Sequence, residues 1–352
     1  MCICIGLDVH AKKTTGFAVP LDGYDEEGLD FCREFNREFK TFGADRAELE
    51  RMAGWLKGVE HSILIENSTK THEVFWILVD AGCTVVVANA NDLYRITKSV
   101  KKTDNHDSEE LAHYMRRRLL GENEFAQCLM VDPVWMNRRQ LCRLYARTSS
   151  DLSDLRRRIR SFMLLRGISV KRANEDITRE FNLRELEMNA DCSLALLIEE
   201  ARWLVPRLDA IRKALGSEFK GEPLFEIISS IPGFGVVTAS YISSMVIDIG
   251  RFENQSQFAA YFGVVPKQRE SADHAKRCGI TRRGDDTARR MLVDGTFHHI
   301  ICDRDRLYPI PVMYDRLRSR GMPHKKALMA CTNKMAQTMF VLLRNGEEFR
   351  IQ

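Results

Sequence analysis

Two groups of side chains have the types and spacing for chemistry, and the first is acidic. Asp8 ends the apolar run Cys2-Ile-Cys-Ile-Gly-Leu, and Glu66 ends Ser62-Ile-Leu-Ile. Asp104 and Asp107 lie in Lys101-Lys-Thr-Asp-Asn-His-Asp, at a spacing that puts both on one face of a helix. Like charges so placed repel, unless they sit at a helix N-terminus, where the dipole favours anions, or a divalent cation bridges them. Asp8 and Glu66 would complete an all-oxygen cage suited to Mg²⁺ or Mn²⁺. Paired ions of this kind stabilise the attacking and the leaving oxygen of a phosphodiester displacement. Taken alone, Asp104 and Asp107 read better as caps of a solvated helix. The order of strand-end Asp, strand-end Glu and helical D-x-x-D favours the metal. His10 and His106 flank these acids and read as hydrogen-bonding neighbours rather than ligands.

The second group surrounds a serine. Ser271 lies amid Lys267, Arg269, Lys276, Arg277, Arg282 and Arg283, where a phosphate would be drawn in and held. Most serines in such loops only hydrogen-bond the phosphate, and no local His-Ser-Asp triad can be assembled. Upstream, Ile231-Pro-Gly233-Phe-Gly235 precedes a helix, as in helix-hairpin-helix modules whose glycine-lined amides approach a DNA phosphate. The same tetrad serves equally as an ordinary interhelical turn with glycine at positive φ.

These residues need elements to hold them. The apolar runs ending at Asp8 and Glu66, with Thr84-Val-Val-Val-Ala88, predict buried strands, and Thr15–Val19 a hairpin partner of the first. Helices are predicted over 44–56 and from Thr71 to Gly82, so the opening reads as an α/β layer ending near residue 120. From Asn137 to Arg166 the chain reads as a basic helix, with Leu152, Leu155, Ile159 and Phe162 at 3-4-3 spacing. A second long helix, over 192–215 and bent at Pro206, would pair with it as an antiparallel arm. Beyond Gly221 short helices with Gly and Pro turns are expected, then a C-terminal helix around Lys325 to Arg344.

Composition narrows the classes. Net charge is only +4, so distribution rather than total charge bears on a polyanionic partner. Ten scattered cysteines with no C-x-x-C pair indicate neither a zinc knuckle nor a disulfide framework. No apolar run approaches the roughly 20 residues that span a bilayer, and Met1 leads straight into a strand pattern, so no membrane partner and a cytoplasmic location are expected.

The order Ile5-Gly-Leu-Asp8-Val-His, Glu66, Thr103-Asp-x-x-Asp107, Pro232-Gly-Phe-Gly235, Phe258-Ala-Ala-Tyr-Phe-Gly-Val-Val-Pro266, Ser271 and Gly284-x-x-x-x-Arg289-x-x-Leu292 resembles the DEDD transposases of the insertion-sequence one-ten family, which includes the pilin-gene invertases and bridge-RNA-guided recombinases. The resemblance covers nearly the whole chain. It implies a RuvC-like, ribonuclease-H-type α/β domain over 1–122, a helical, coiled-coil arm over 123–220, and a mainly α transposase domain with a helix-hairpin-helix-like motif over 221–352. It further implies Mg²⁺ on Asp8, Glu66, Asp104 and Asp107, and a catalytic Ser271 that forms a phosphoserine link to DNA. The partners implied are double-stranded donor and target DNA, a structured noncoding guide RNA, and further copies of the chain in a dimer or tetramer. Nucleic-acid contacts are expected at Gly233, Gly235, Arg289 and the cations around Ser271, and along the arm at Arg156, Arg157 and Arg160. The chain departs from the family where Glu270-Ser271-Ala272 replaces the usual Ser-Gly, and where Ala90 stands in place of a proline. The loss of that glycine alters how a loop can approach a phosphate.

Three other readings make different predictions. A metal-only Holliday-junction-type nuclease keeps cutting without Ser271, and a non-catalytic nucleic-acid binder shows no metal dependence. Ile5-Gly-Leu-Asp8 with Lys12-Lys-Thr-Thr-Gly also resembles the first phosphate loop of actin-like sugar kinases, but no second glycine-rich loop follows.

Overall fold

The computed structural model describes residues 1–23, 25–89, 104–122, 125, 127–172, 175–188, 190–271, 274–280 and 284–350, with the side chains of 104–106 and 266–279 outside it. The chain divides into two compact units, residues 1–131 and 132–352.

The first unit runs β1 (Cys2–Val9), β2 (Lys13–Pro20), α1 (Glu26–Glu38), β3 (Phe42–Gly43), α2 (Arg46–Trp55), β4 (Glu60–Glu66), α3 (Thr71–Asp80), β5 (Val85–Ala88) and α4 (Asp104–Leu119). Its sheet has the order β3-β2-β1-β4-β5. β1 is antiparallel to β2 and parallel to β4, and β4 is parallel to β5. The unbroken apolar run of β1 follows from burial on both faces. Ile3, Ile5, Leu7 and Val9 pack with Phe35, Leu49 and Ile77 of α1 to α3, whereas Cys4 packs with Leu64, Leu111, Ala112 and Met115 beneath α4. The Cys4 thiol, pushed up to about 12 by burial, stays neutral there.

After α4 the chain returns to the sheet edge, where Ala88 bridges Gln127 and the Cys128 amide donates to the Val87 carbonyl at 2.8 Å. The Val131 carbonyl then accepts from His72 Nε2 at 2.7 Å and Trp76 Nε1 at 3.1 Å. These bonds tie the segment ending at Val131 to the first unit.

The second unit contains α5 (Pro133–Arg166), α6 (Glu180–Glu187), α7 (Cys192–Glu218), α8 (Pro223–Ser229), α9 (Val236–Val246), α10 (Gln255–Tyr261), β6 (Pro266–Ser271), β7 (His274–Ile280), α11 (Asp286–Cys302), α12 (Pro309–Ser319) and α13 (His324–Asn345). α5 starts under the Asp132 cap, whose carboxylate accepts from the Trp135 amide, and stops at left-handed Gly167. Leu152, Leu155, Ile159 and Met163 pack against Leu194, Ile198, Ala201 and Leu204 of α7. Ion pairs Arg166–Asp191, Arg158–Glu200 and Arg138–Glu222 fix the pairing as antiparallel. Exposed pairs contribute about 0–1 kcal/mol, against about 2–5 kcal/mol for a buried leucine, so the apolar seam dominates. α7 continues through Pro206.

The expectation of short helices alone beyond Gly221 is corrected by the antiparallel β6–β7 hairpin. Both strands are dense in charge, so they lack the apolar alternation that marks a strand.

Candidate functional site

Asp8 and Glu66 are brought side by side by strand register. β1 and β4 run parallel with Leu7 opposite Ile65, so the next step along each strand pairs Asp8 with Glu66. Successive residues alternate between faces, which puts Asp8 with Cys4 and Gly6, and Glu66 with Leu64, on the face that α4 covers.

Gly6 fixes where α4 crosses. A Cβ there would stand 2.1 Å from the Ser108 carbonyl oxygen and 2.5 Å from the Ala112 amide nitrogen, so helix and strand backbones meet at this point. Further along the helix, Arg116 Nε donates to the Leu21 carbonyl at 3.0 Å, and the Leu21 amide bonds Cys2 at the start of β1. α4 is therefore antiparallel to β1, and its first turn, with Asp104 and Asp107, lies at the Asp8 end of the strand. The first-turn acids and Arg116, Arg117 and Arg118 in the last turn match the helix dipole at both ends.

The rim of this acidic corner is polar. His10 Nε2 lies 3.1 Å from Asp8 Oδ2, and Lys70 Nζ donates to the Ala11 carbonyl at 3.4 Å. Thr71 Oγ1 donates to the Glu66 carbonyl at 2.8 Å, pinning the end of β4 to the start of α3. Among the described residues no three of His, Cys, Asp and Glu already close around one point. The Asp104 side chain lies outside those residues. What the register brings together is a pair of carboxylates at adjacent strand ends, with the first turn of α4 at the same end of the sheet, and oxygen donors of this kind suit a hard divalent cation.

Ser271 is the last residue of β6, opposite His274 across the hairpin, with Ala272 outside the described residues. Arg269 pairs with Lys276 and Gln268 with Arg277, so Arg269, Ser271, His274 and Lys276 share one face of the ladder. Lys267 sits in the register shift between Pro266 and Gln268. Arg282, Arg283 and Ala90 lie outside the described residues.

Three of the expected nucleic-acid contacts, Arg289, Arg156 and Gly233, make structural contacts. Arg289 is buried at 8% exposure, its guanidinium bonding the Phe262 carbonyl and pairing with Asp286. Arg156 is held by Asp176 and Thr178 within the arm. Arg157 pairs with Asp154 one turn back but stays exposed, as does Arg160. Gly233 has φ +93°, and a Cβ there would stand 2.4 Å from the His299 amide nitrogen, so this glycine serves the crossing of the α8–α9 turn over α11. His299 Nδ1–H donates to the Pro232 carbonyl at 2.9 Å across the same crossing. Gly235 is the N-cap of α9, with no side-chain cap, and a Cβ there would meet nothing within 4 Å.

Sequence reasoning missed Gly6. A glycine within a strand is a signal of close backbone approach.

A mixed sheet carrying paired carboxylates under a helix, followed by a mostly helical remainder, is compatible with the ribonuclease-H-like layer of the DEDD transposases. Residues 5–168 match the model of IS110 DEDD transposases, and residues 225–308 match "Transposase IS116/IS110/IS902 family". The chain belongs to this transposase family. It is 28% identical over 178 residues to "Transposase for insertion sequence element IS1111A" of Coxiella burnetii, covering 44% of this chain and 47% of that protein. It is 28% identical over 155 residues to "Insertion element IS110 uncharacterized 43.6 kDa protein" of Streptomyces coelicolor, covering 44% and 35%. With "Transposase for insertion sequence element IS1328" of Yersinia enterocolitica the identity is 26% over 198 residues, covering 54% and 57%. The chain thus spans about half or less of the length of most of these relatives. Among the described residues no helix is long and apolar enough to cross a membrane.

Proposed function

We propose that this chain is a transposase that cuts and rejoins strands of double-stranded donor and target DNA. The observation that carries the reading is the parallel register that seats Asp8 beside Glu66 under the N-terminal turn of α4. Asp8, Glu66, Asp104 and Asp107 would hold Mg²⁺ or Mn²⁺. Such an ion, when bound, neutralises charge developing on the phosphate oxygens. Family membership implies dependence on a divalent metal, and magnesium is our choice from the all-oxygen donor set.

The Ser271 hydroxyl is the nucleophile in this proposal. Its oxygen bonds to phosphorus as the phosphorus–oxygen bond to the leaving strand breaks. The serine proton is lost as the leaving oxygen gains one, and the reverse exchange rejoins DNA. Lys267, Arg269, Lys276, Arg277, Arg282 and Arg283 hold the phosphate, with the backbone at Gly235 as a further contact. A structured noncoding RNA selects the DNA by base pairing, Arg157 and Arg160 contact nucleic-acid backbone, and the chain works as a dimer or tetramer. In this proposal 1–122 is the RuvC-like domain, 123–220 the coiled-coil arm and 221–352 the transposase domain.

The test incubates the protein with Mg²⁺, the RNA encoded beside its gene and DNA spanning the element junction, and then resolves protein–DNA adducts on a denaturing gel. An adduct lost in Ser271→Ala supports the proposal. Metal-dependent nicking without an adduct in both proteins replaces it with a metal-only nuclease.

A further inference from the structure

The turn between α12 and α13, with the exposed face of α11 beside it, takes no part in the chemistry above. From Asp315 to Lys326 the sequence carries Arg316, Arg318, Arg320, Lys325 and Lys326 against one acid, and all five cations are exposed. That acid does not neutralise them, because the Arg306 guanidinium engages the Asp315 carboxylate. Crowded like charges cost free energy that a polyanion removes by replacing its own counterions.

A second observation concerns an aromatic ring. Phe297 of α11 is 37% exposed, with ring centroids 5.9 Å from His324 at the start of α13 and 6.1 Å from His298. The Tyr314 hydroxyl lies 2.6 Å from His324 Nδ1, which joins α12 to the same group. The ring and the cations therefore form one surface within the second unit. Aromatic faces beside a cationic track suit single strands, whose bases are free to stack, whereas duplex bases already stack on one another. Reading a ribose 2′-hydroxyl needs polar partners. The acidic and hydroxyl side chains on this turn are engaged, the Asp315 carboxylate by Arg306 and Ser319 Oγ by the Arg316 carbonyl at 3.0 Å.

We propose that this surface binds single-stranded DNA, with phosphates on Arg316, Arg320 and Lys325 and a base stacked on Phe297. The proposal rests on the reading of the chain as a DNA-strand enzyme, since cleavage and exchange expose unpaired strands.

The experiment is fluorescence anisotropy of the full chain, across a salt series, with an oligo-dT strand, an oligo-U strand of equal length and a DNA duplex. Each lost contact to a single strand removes about 0.7 from the log–log salt slope, so the triple variant Arg316→Ala, Arg320→Ala, Lys325→Ala flattens it by about 2. Phe297→Leu keeps the packing but not the aromatic face, and weakens oligo-dT binding about tenfold with an unchanged slope. Duplex affinity of Phe297→Leu stays within about twofold of wild type. Unchanged oligo-dT binding in both variants overturns the surface. Oligo-U bound as tightly as oligo-dT, or an equal loss on duplex, overturns the choice of single-stranded DNA. Anisotropy reads binding without strand cleavage and the adduct gel reads cleavage, so failure of the cleavage proposal and failure of this one read out separately.

Discussion

At the scale of single residues, the acidic corner joins a carboxylate that a strand delivers to one that a neighbouring strand delivers. Asp8→Asn, or Asp104→Asn with Asp107→Asn, is expected to lower Mg²⁺-dependent cleavage at least about a hundredfold while leaving thermal unfolding unchanged. Full cleavage by either protein in a nicking assay would remove these acids from the chemistry. Gly6→Ala tests the frame instead. Its methyl group would meet α4 backbone rather than a movable side chain, and overpacking of this kind costs about 1–3 kcal/mol. A lower melting temperature and weaker cleavage should appear together. A variant melting like wild type would mean that α4 is not seated on Gly6.

At the scale of elements, the arm divides its arginines between packing and exposure. Arg156 reaches Asp176 and Thr178, so Arg156→Ala should destabilise the protein by about 1–3 kcal/mol in denaturant unfolding and leave the salt slope of DNA binding alone. Arg157→Ala with Arg160→Ala should do the reverse, flattening that slope by about 1.8 on duplex DNA, at about 0.9 per contact. The reverse assignment would move Arg156 to the ligand. The apolar seam of α5 and α7 was legible because Leu152, Leu155 and Ile159 repeat with helical period and are buried as that period requires. The strand ends at Asp8 and Glu66 were legible because buried parallel strands are unbroken apolar runs. The β6–β7 hairpin was not, because charged residues fill both strands and no glycine marks the turn. Its ladder is set by backbone pairing that composition does not encode. The burial of Arg289 was not legible for a related reason, since a basic residue in a basic stretch gives no sign that its helix turns it inward.

At the scale of the whole molecule, the acids lie in the first compact unit and Ser271 in the second. Stability of the second unit should depend on pH through His299. Burial holds this imidazole below its ordinary value, against the opposing effects of the Pro232 carbonyl and Asp303. Below about pH 6.5 the unfolded chain therefore takes a proton that the folded chain resists. The contribution is complete above that pH and is lost as pH falls toward the depressed folded value. Melting curves between about pH 5 and 8 should show an acid-side loss in wild type that shrinks in His299→Asn. Parallel curves would assign the loss to other groups.

The contact at Gly6 also separates scaffolding from charge. The helix that carries two of the acids is positioned where its main chain touches the main chain of a strand, and no carboxylate takes part in that contact. Amide substitutions at the acidic corner should therefore yield proteins that engage DNA in the reactive arrangement yet leave it uncut. Such proteins would serve as traps for imaging the uncleaved complex.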